Sequence, residues 1–388
     1  MKVFAAILII PWLFAMVLTP ATIAFAHRFD LLDRPTARKA HKKPVAMLGG
    51  VALFLAMVLG VAALAPFVPP LRPLLFGYGS LGALALGCGL MVALGLWDDL
   101  YDLSALQKAL GQIAIAALTY WMGFQAGAVE LPFGFDLSDA APISFAVTVI
   151  WIVVVANAFN LIDGMDGLAS GVSLITALTV FLLANQYGAT VPVIAALALS
   201  GALAGFLRFN LPPARIFLGD AGALSIGYLT AVLALASYQK APAAVALIVP
   251  LLVLGLPLLD TILAVVRRGL SHVSQHGTRG LGVRELLSAV TRADRGHLHH
   301  LLLRNGLSVT QSLLVLYAIC VALAAIGFET RAFASDLRFG IFGVLVAAGY
   351  GALRLLERRA SRIEADAARA ALASAEEITP ATEQRVAG

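Results

Sequence analysis

The stretch Asn157–Gly171, NAFNLIDGMDGLASG, sets two asparagines and two aspartates, Asn157, Asn160, Asp163 and Asp166, at the end of an apolar run. Polar groups at that depth are costly and usually face a cavity or a water-filled path. A spacing of three keeps Asn157, Asn160 and Asp163 near one face of a continuing helix. Gly164 and Gly167 then allow the backbone to turn and approach a bound group closely. A hairpin with Asp163-Gly164 as its turn and Asp166 as a helix cap would account for the aspartates alone. A turn, however, has no use for four carboxamide and carboxylate groups.

Further clusters of the same chemistry lie elsewhere. In Trp97-Asp98-Asp99-Leu100-Tyr101-Asp102-Leu103-Ser104 the adjacent carboxylates of Asp98 and Asp99 repel each other, and a divalent cation or a basic partner relieves that repulsion. Ser104 and Gln107 form a capping-box pattern, which gives Asp102 and Ser104 a structural explanation. In IFLGDAG, Asp220 is either a helix cap or an acidic ligand. Asp260 is a carboxylate inside an apolar run and is expected to face the interior of the helical bundle. The basic segment Asp33–Pro44, followed by Gly49-Gly50, reads as a topology signal and a lipid-headgroup contact. Its length and the paired glycines also suit an ordered loop that holds a phosphate, with Lys43 among its cations. The loop from Arg267 to Ser308 carries five of the seven histidines, densest in Asp294-Arg295-Gly296-His297-Leu298-His299-His300. With no cysteine nearby and carboxylates elsewhere, a hard cation such as magnesium fits the chain better than a transition metal. Arg295, His297, His299 and His300 then read as phosphate donors. Cys88 and Cys320 sit in apolar runs and read as small core residues.

The elements that must hold these groups are membrane helices. Of 388 residues, 60% are hydrophobic and 13% charged, against roughly 25% charged in soluble domains. Mean hydropathy is +0.91. The expected fold is an all-α polytopic membrane protein of about eleven transmembrane helices with cytoplasmic catalytic loops. The apolar runs are 3–26, 46–66, 74–97, 104–125, 142–158, 167–186, 190–207, 221–238, 242–266, 308–328 and 337–356. Residues 1–356 form one transmembrane domain whose longest loop is 267–307, and 357–388 form a cytoplasmic tail that begins helical and ends disordered. Residues 283–290 suggest a short amphipathic helix. The first run resembles a signal peptide, but it is long and precedes a strongly basic segment, so it reads as a retained helix. With the N-terminus outside, all of the 27 lysines and arginines except Lys2, Arg72, Lys240, Arg331 and Arg338 fall on the cytoplasmic side. Every polar motif above falls there too.

Taken together, the motifs resemble the polyprenyl-phosphate N-acetylhexosamine-1-phosphate transferases. The basic loop ending in Gly49-Gly50, Asp98-Asp99, NAFNLIDGMDG, IFLGDAG and HLHH at 297–300 all match that pattern, over residues 30 to 306. The resemblance implies Asp220 as the magnesium-binding aspartate and Asp98 and Asp99 as the catalytic pair, with Asp98 acting on the attacking phosphate. It places Asn160, Asp163, Asp166 and Phe217 on the nucleotide, Phe217 against uracil, Asn210 near the metal, and His299 as the functional histidine. HLHH resembles the N-acetylglucosamine-1-phosphate branch, whereas the phospho-MurNAc-pentapeptide branch has three consecutive histidines after a proline. Asp102 stands where that second branch has lysine. The loop between Arg268 and Arg292 is longer than the pattern.

The implied reaction transfers an N-acetylhexosamine-1-phosphate, in first place GlcNAc-1-phosphate, from a UDP-sugar to undecaprenyl phosphate with release of UMP. Its implied setting is a bacterial inner membrane, with Mg2+ as cofactor, membrane lipid as surroundings and no nucleic-acid partner; a homodimer is compatible with it. Both substrates are anionic, and a phosphate monoester with a second pKa near 6 is already largely ionised. The protein therefore needs mainly to position and neutralise, although a covalent route through Asp98 is also open. A membrane prenyltransferase would use Asp98-Asp99-Leu100-Tyr101-Asp102 as a DDxxD, but needs neither IFLGD nor HLHH. A transporter would suit Asp260, but the polar residues gather at one face, not at the midplane.

Overall fold

The computed structural model describes residues 2–35, 43–126, 141–238, 251–252, 254–264, 297–330, 333 and 335–386. Its helices are α1 (Lys2–Arg28), α2 (Gly49–Leu64), α3 (Leu81–Tyr101), α4 (Ala105–Trp121), α5 (Ala141–Ile162), α6 (Leu168–Gln186), α7 (Thr190–Asn210) and α8 (Gly219–Tyr238). They continue with α9 (Gly255–Ala264), α10 (Leu298–Arg304), α11 (Val309–Thr330) and α12 (Ser335–Val386). Two two-residue strands, β1 (Leu32–Asp33) and β2 (Val45–Ala46), pair antiparallel.

The architecture is all-helical, and eight described helices are long and apolar enough to cross a membrane, fewer than the eleven expected. The second and fourth expected spans fall on α2, with 16 residues, and α4, with 17. At 1.5 Å per residue these fall just short of the hydrocarbon thickness. Helix α2 stops at Ala65-Pro66, and α4 opens on the polar Gln107 and Lys108. The expected span 242–266 lies largely outside the described residues, which retain the short α9. At the other end, α12 carries helix through the expected last span and on to Val386, in keeping with the high helix propensity of an Ala/Arg/Glu-rich tail.

The chain divides into two units, Met1–Thr261 with Leu313–Gly343, and Ile262–Ser312 with Val344–Gly388. In the first, α1 lies on α2 and α7, α6 on α7 and α8, and α3 and α5 flank α8. The apolar stretch of α8 is 83% buried against 22% for α1, so α8 is the central post and α1 a lipid-facing one. Polar side chains cross-link the helices, as is usual where lipid provides no hydrogen bonds. Trp151 Nε1 donates to Ala231 O at 3.1 Å, and the hydroxyls of Thr119 and Tyr228 meet at 2.9 Å. Asp260 is buried, and both cysteines are free and buried.

In the second unit, Leu301 of α10 packs with Leu263 and Leu353. Asn305 Nδ2 donates to Leu356 O at 3.0 Å, and Arg304 grips Glu364 through two bonds of 2.8 and 3.0 Å.

Paired glycines dock the strand end onto the central helix. The amides of Gly49 and Gly50 donate to Phe217 O and Leu218 O, each at 3.0 Å, and Phe217 N donates to Ala46 O at 2.8 Å. A Cβ on Gly50 would sit 2.2 Å from Gly222 N. These glycines therefore serve close backbone packing, and their amides are spent on protein carbonyls. Residues 36–42 of that basic loop lie outside the described residues.

Candidate active site

Helix α3 begins at a Ser80 cap, whose Oγ accepts from Ala83 N at 3.1 Å. It ends where Asp102 takes a left-handed conformation at φ 50°. Two residues later Ser104 and Gln107 form the expected capping box and start α4. This tight reversal brings the end of α3 and the first turns of α4 side by side.

Asp99 does not point into open space. Its Oδ1 accepts from Asp220 N at 2.8 Å and its Oδ2 from Ala221 N at 3.1 Å. Those are the unpaired first amides of α8, and a carboxylate there also meets the positive end of the helix dipole. The cap of α8 thus comes from a different helix, and the Asp220 side chain is released for other partners. Gly219, at φ 65°, makes the turn possible: a Cβ there would lie 2.7 Å from Asp99 Oδ2.

Asp220 is gripped from two sides. Asn160 Nδ2 donates to its Oδ1 at 2.7 Å, and Lys108 Nζ pairs with its Oδ2. The same ammonium reaches Asp98 Oδ2 at 2.7 Å, while Asp98 Oδ1 accepts from Leu103 N at 2.9 Å. Asp98, Asp220 and Asn160 of the expected set therefore converge, around a lysine that entered the sequence reading only as a charge on one side of the membrane. The missed signal was its place: a cation in the opening turns of a helix opposes the helix dipole and needs acidic partners.

A second network orders the turn after α5. Asp166 Oδ2 accepts from Ala214 N at 2.9 Å, joining the aspartate turn to the 211–218 segment. Asn210 is buried; its Oδ1 accepts from Ser170 Oγ at 2.5 Å and its Nδ2 donates to Ile216 O at 2.9 Å. Tyr317 Oη donates to Gly167 O at 2.6 Å. Both ends of the Asn210 carboxamide are thus engaged within the protein, and Ser170 and Tyr317, absent from the sequence reading, complete the scaffold. Phe217 is half-buried, and the guanidinium of Arg215 lies over Phe209 at 5.6 Å.

Lys43 is exposed, and Arg295 lies outside the described residues. The histidines belong to the second unit: His297 precedes α10, His299 and His300 lie in its first turn, and His297 and His299 are buried. The rings of His299 and His300 are 4.1 Å apart.

The acidic groups of the first unit fit a hard cation. The carboxyl of Asp163 is pushed up to about 8 by burial and then by the negative charges of Asp220, Asp99 and Asp166. One lysine shared between Asp98 and Asp220 leaves that charge in excess. Among the described residues no three His, Cys, Asp or Glu side chains stand close enough to hold an ion by themselves. Magnesium does not require such a cage: it typically takes one or two carboxylates and completes its shell with water and substrate phosphates. Asp220, oriented by Asn160 and Lys108 at the start of α8, is the carboxylate that could serve such an ion.

Residues 81–238 match the model for glycosyl transferase family 4. The chain is 32% identical over 311 residues to a probable undecaprenyl-phosphate N-acetylglucosaminyl 1-phosphate transferase of Bacillus subtilis, covering 80% of each chain. It is 34% identical over 362 residues to the decaprenyl-phosphate N-acetylglucosaminephosphotransferase of Mycobacterium tuberculosis, covering 86% of this chain and 84% of that one. It is also 25% identical over 308 residues to the undecaprenyl-phosphate alpha-N-acetylglucosaminyl 1-phosphate transferase of Escherichia coli K12, covering 78% and 77%.

Proposed function

This chain belongs to the polyprenyl-phosphate N-acetylhexosamine-1-phosphate transferases, and we propose that it moves GlcNAc-1-phosphate from UDP-GlcNAc to undecaprenyl phosphate in a magnesium-dependent reaction. It is a membrane-embedded phosphoglycosyl transferase. An oxygen of the lipid phosphate attacks the β-phosphorus of the UDP-sugar, the bond from that phosphorus to the bridging oxygen breaks, and UMP leaves. The attacking monoester needs no proton removed near neutral pH. The active site faces the cytoplasm of a bacterium, as the basic-residue bias supports, and the reaction opens a cell-envelope glycan pathway.

The observation that carries this reading is the meeting of Asp98, Lys108, Asn160 and Asp220 at the start of α8. Lys108 holds one carboxylate from α3 and one from α8 and still has a third N–H to offer a phosphate oxygen. Asn160 fixes one oxygen of Asp220, so its carboxylate is oriented before substrate arrives. Asp99 holds the first turn of α8, and with it Asp220, in place. When bound there, magnesium would neutralise charge on the diphosphate. Asp163, Asp166 and Phe217 lie on the turn and segment that the second network fastens, and we assign them to the nucleotide. Phe217 is anchored through its own backbone on both sides, its N–H donating to Ala46 O and its carbonyl accepting from Gly49 N. We assign His299, with its neighbours His297 and His300, to the phosphates.

The test is magnesium-dependent release of UMP from UDP-GlcNAc by purified protein, with and without polyprenyl phosphate. Asp220→Asn should lower turnover by at least about a hundredfold, the scale of removing one preorganised charge-stabilising group. Turnover without lipid acceptor, or near-normal turnover of Asp220→Asn with intact metal dependence, would overturn the reading.

A further inference from the structure

We propose that Gln112 and Asn157 are positioning residues for this transfer: their paired carboxamides set the register of α4 against α5 and so bring Lys108 and Asn160 onto the same carboxylate. The inference rests on the role assigned to Asp220 above. Gln112 lies one helical turn beyond Lys108 on the same face of α4, and Asn157 lies three residues before Asn160 on α5. Asn157 Nδ2 donates to Gln112 Oε1 at 2.6 Å, and Gln112 Nε2 returns a longer bond of 3.4 Å to Asn157 Oδ1. The second hydrogen of Asn157 Nδ2 goes to Val153 O at 2.7 Å. Gln112 is only 1% exposed. One turn further on, the same two helices deliver Lys108 and Asn160 to opposite oxygens of Asp220.

Nothing in the chain connectivity fixes this alignment. Residues 102–104 tie α4 to α3 at the site end, but the chain leaves α4 for α5 beyond Trp121, at the end away from Lys108. At the site end, register depends on side chains. Apolar contacts between membrane helices are weakly directional, since lipid competes for them, whereas a paired carboxamide has a fixed length and direction. A slip of one residue along α4 is about 1.5 Å and about 100° of rotation, enough to take the Lys108 ammonium off both carboxylates. Gln112 and Asn157 touch neither Asp98 nor Asp220; they act through their neighbours.

The alternative role is plain adhesion between helices, and kinetics separates the two. The enzyme is purified whole and assayed for UMP release from UDP-GlcNAc with polyprenyl phosphate. Turnover is expressed per folded molecule, and thermal unfolding is followed on the same samples. Gln112→Asn shortens one arm so that the pair no longer meets. It should lower kcat by about tenfold or more, given that a misplacement of about 1 Å can cost a hundredfold, while KM for UDP-GlcNAc stays within about threefold. KM is expected to hold because Asp166 and the 211–218 segment are fastened from α7 and α11, not from α4. The swap Gln112→Asn with Asn157→Gln restores the summed length and should bring kcat back to within about threefold of wild type. Wild-type kcat in Gln112→Asn overturns the proposal, as does a swapped pair no faster than the single variant. Lys108→Met and Asp220→Asn run alongside. If both retain full turnover, the site assignment fails and takes this proposal with it. If both are inactive while the amide variants are unaffected, only the proposal fails.

Discussion

Asp99 is the residue whose role the sequence and the structure describe differently, and its replacement by asparagine separates them. The carboxylate accepts two consecutive α8 amides, one on each oxygen, at 2.8 and 3.1 Å. Asparagine presents one acceptor and one NH2, so one of those amides would face a donor. A buried donor left unpaired costs about 1–3 kcal/mol. Loss of the charge at the helix N-terminus adds about 0.3–1 kcal/mol, more when partly buried. Asp99→Asn should therefore destabilise the protein by roughly 2–4 kcal/mol and lower its unfolding temperature by several degrees. Because the amide lost belongs to Asp220 or its neighbour, turnover should fall with it. Asp220→Asn should lower turnover without a comparable loss of stability, since it removes a charge from an acid-rich cluster and leaves the helix cap intact. The assay pairs thermal unfolding in detergent with UMP release for both variants. An inactive Asp99→Asn that unfolds at the wild-type temperature would refute the capping argument and restore Asp99 to a direct part in the chemistry.

Three further outcomes are expected. Tyr317→Phe removes the bond to Gly167 O, a carbonyl that also accepts from Gly171 N, so KM for the UDP-sugar should rise a few-fold with a stability loss of about 1 kcal/mol; an unchanged KM removes Tyr317 from the scaffold of the nucleotide turn. In a background lacking Cys88 and Cys320, cysteine at exposed position 208 should react only with reagents that reach the cytoplasm, and periplasmic labelling would invert the topology. Across UDP-GlcNAc, UDP-GalNAc, a diacetamido UDP-sugar and UDP-MurNAc-pentapeptide, the small N-acetyl sugars should turn over and the pentapeptide should not, following Asp102 and HLHH; discrimination between epimers rests on one or two hydrogen bonds, so preference for GalNAc would revise only the sugar.

The sequence was informative where local chemistry decides the outcome. The Ser104–Gln107 cap, the apolar settings of Cys88 and Cys320 and the depth of Asp260 follow from nearest neighbours, and the structure has all of them. The convergence of Asp98, Asn160 and Asp220 was legible as three motifs sharing one chemistry, although no single spacing specified it. What stayed hidden were partners contributed from distant parts of the chain. Lys108 meets Asp220 across 112 residues and Tyr317 meets Gly167 across 150, and a single sequence carries no signal for such a pairing. Among the described residues eight helices, not eleven, meet the length of a span, for a different reason. Hydropathy measures apolarity along a run, whereas α2 and α4 are set by where a proline stops one and polar residues open the other. The use of the paired glycines was equally hidden, because it depends on what approaches them, which at Gly50 is the backbone of α8.

The division of labour between Asp98 and Asp99 follows from helix geometry. Neighbouring residues on a helix project about 100° apart, so an adjacent acidic pair cannot ordinarily serve one ligand with equal directness. At the end of α3 that angle sends Asp99 towards the start of α8 and Asp98 towards α4. One carboxylate then builds the site by fixing the turn that carries Asp220, and the other belongs to it by sharing Lys108 with Asp220. The repulsion expected between adjacent aspartates is met by two different positive partners, a helix N-terminus and an ammonium. Asp98 keeps the lysine shared with Asp220, so on the proposed function a substrate phosphate drawn to that ammonium would meet it between the two carboxylates. There a cation bound at Asp220 would face the same oxygens. Lys108→Met should therefore disturb both the acidic pair and phosphate binding, whereas Asp99→Asn should act through the fold alone.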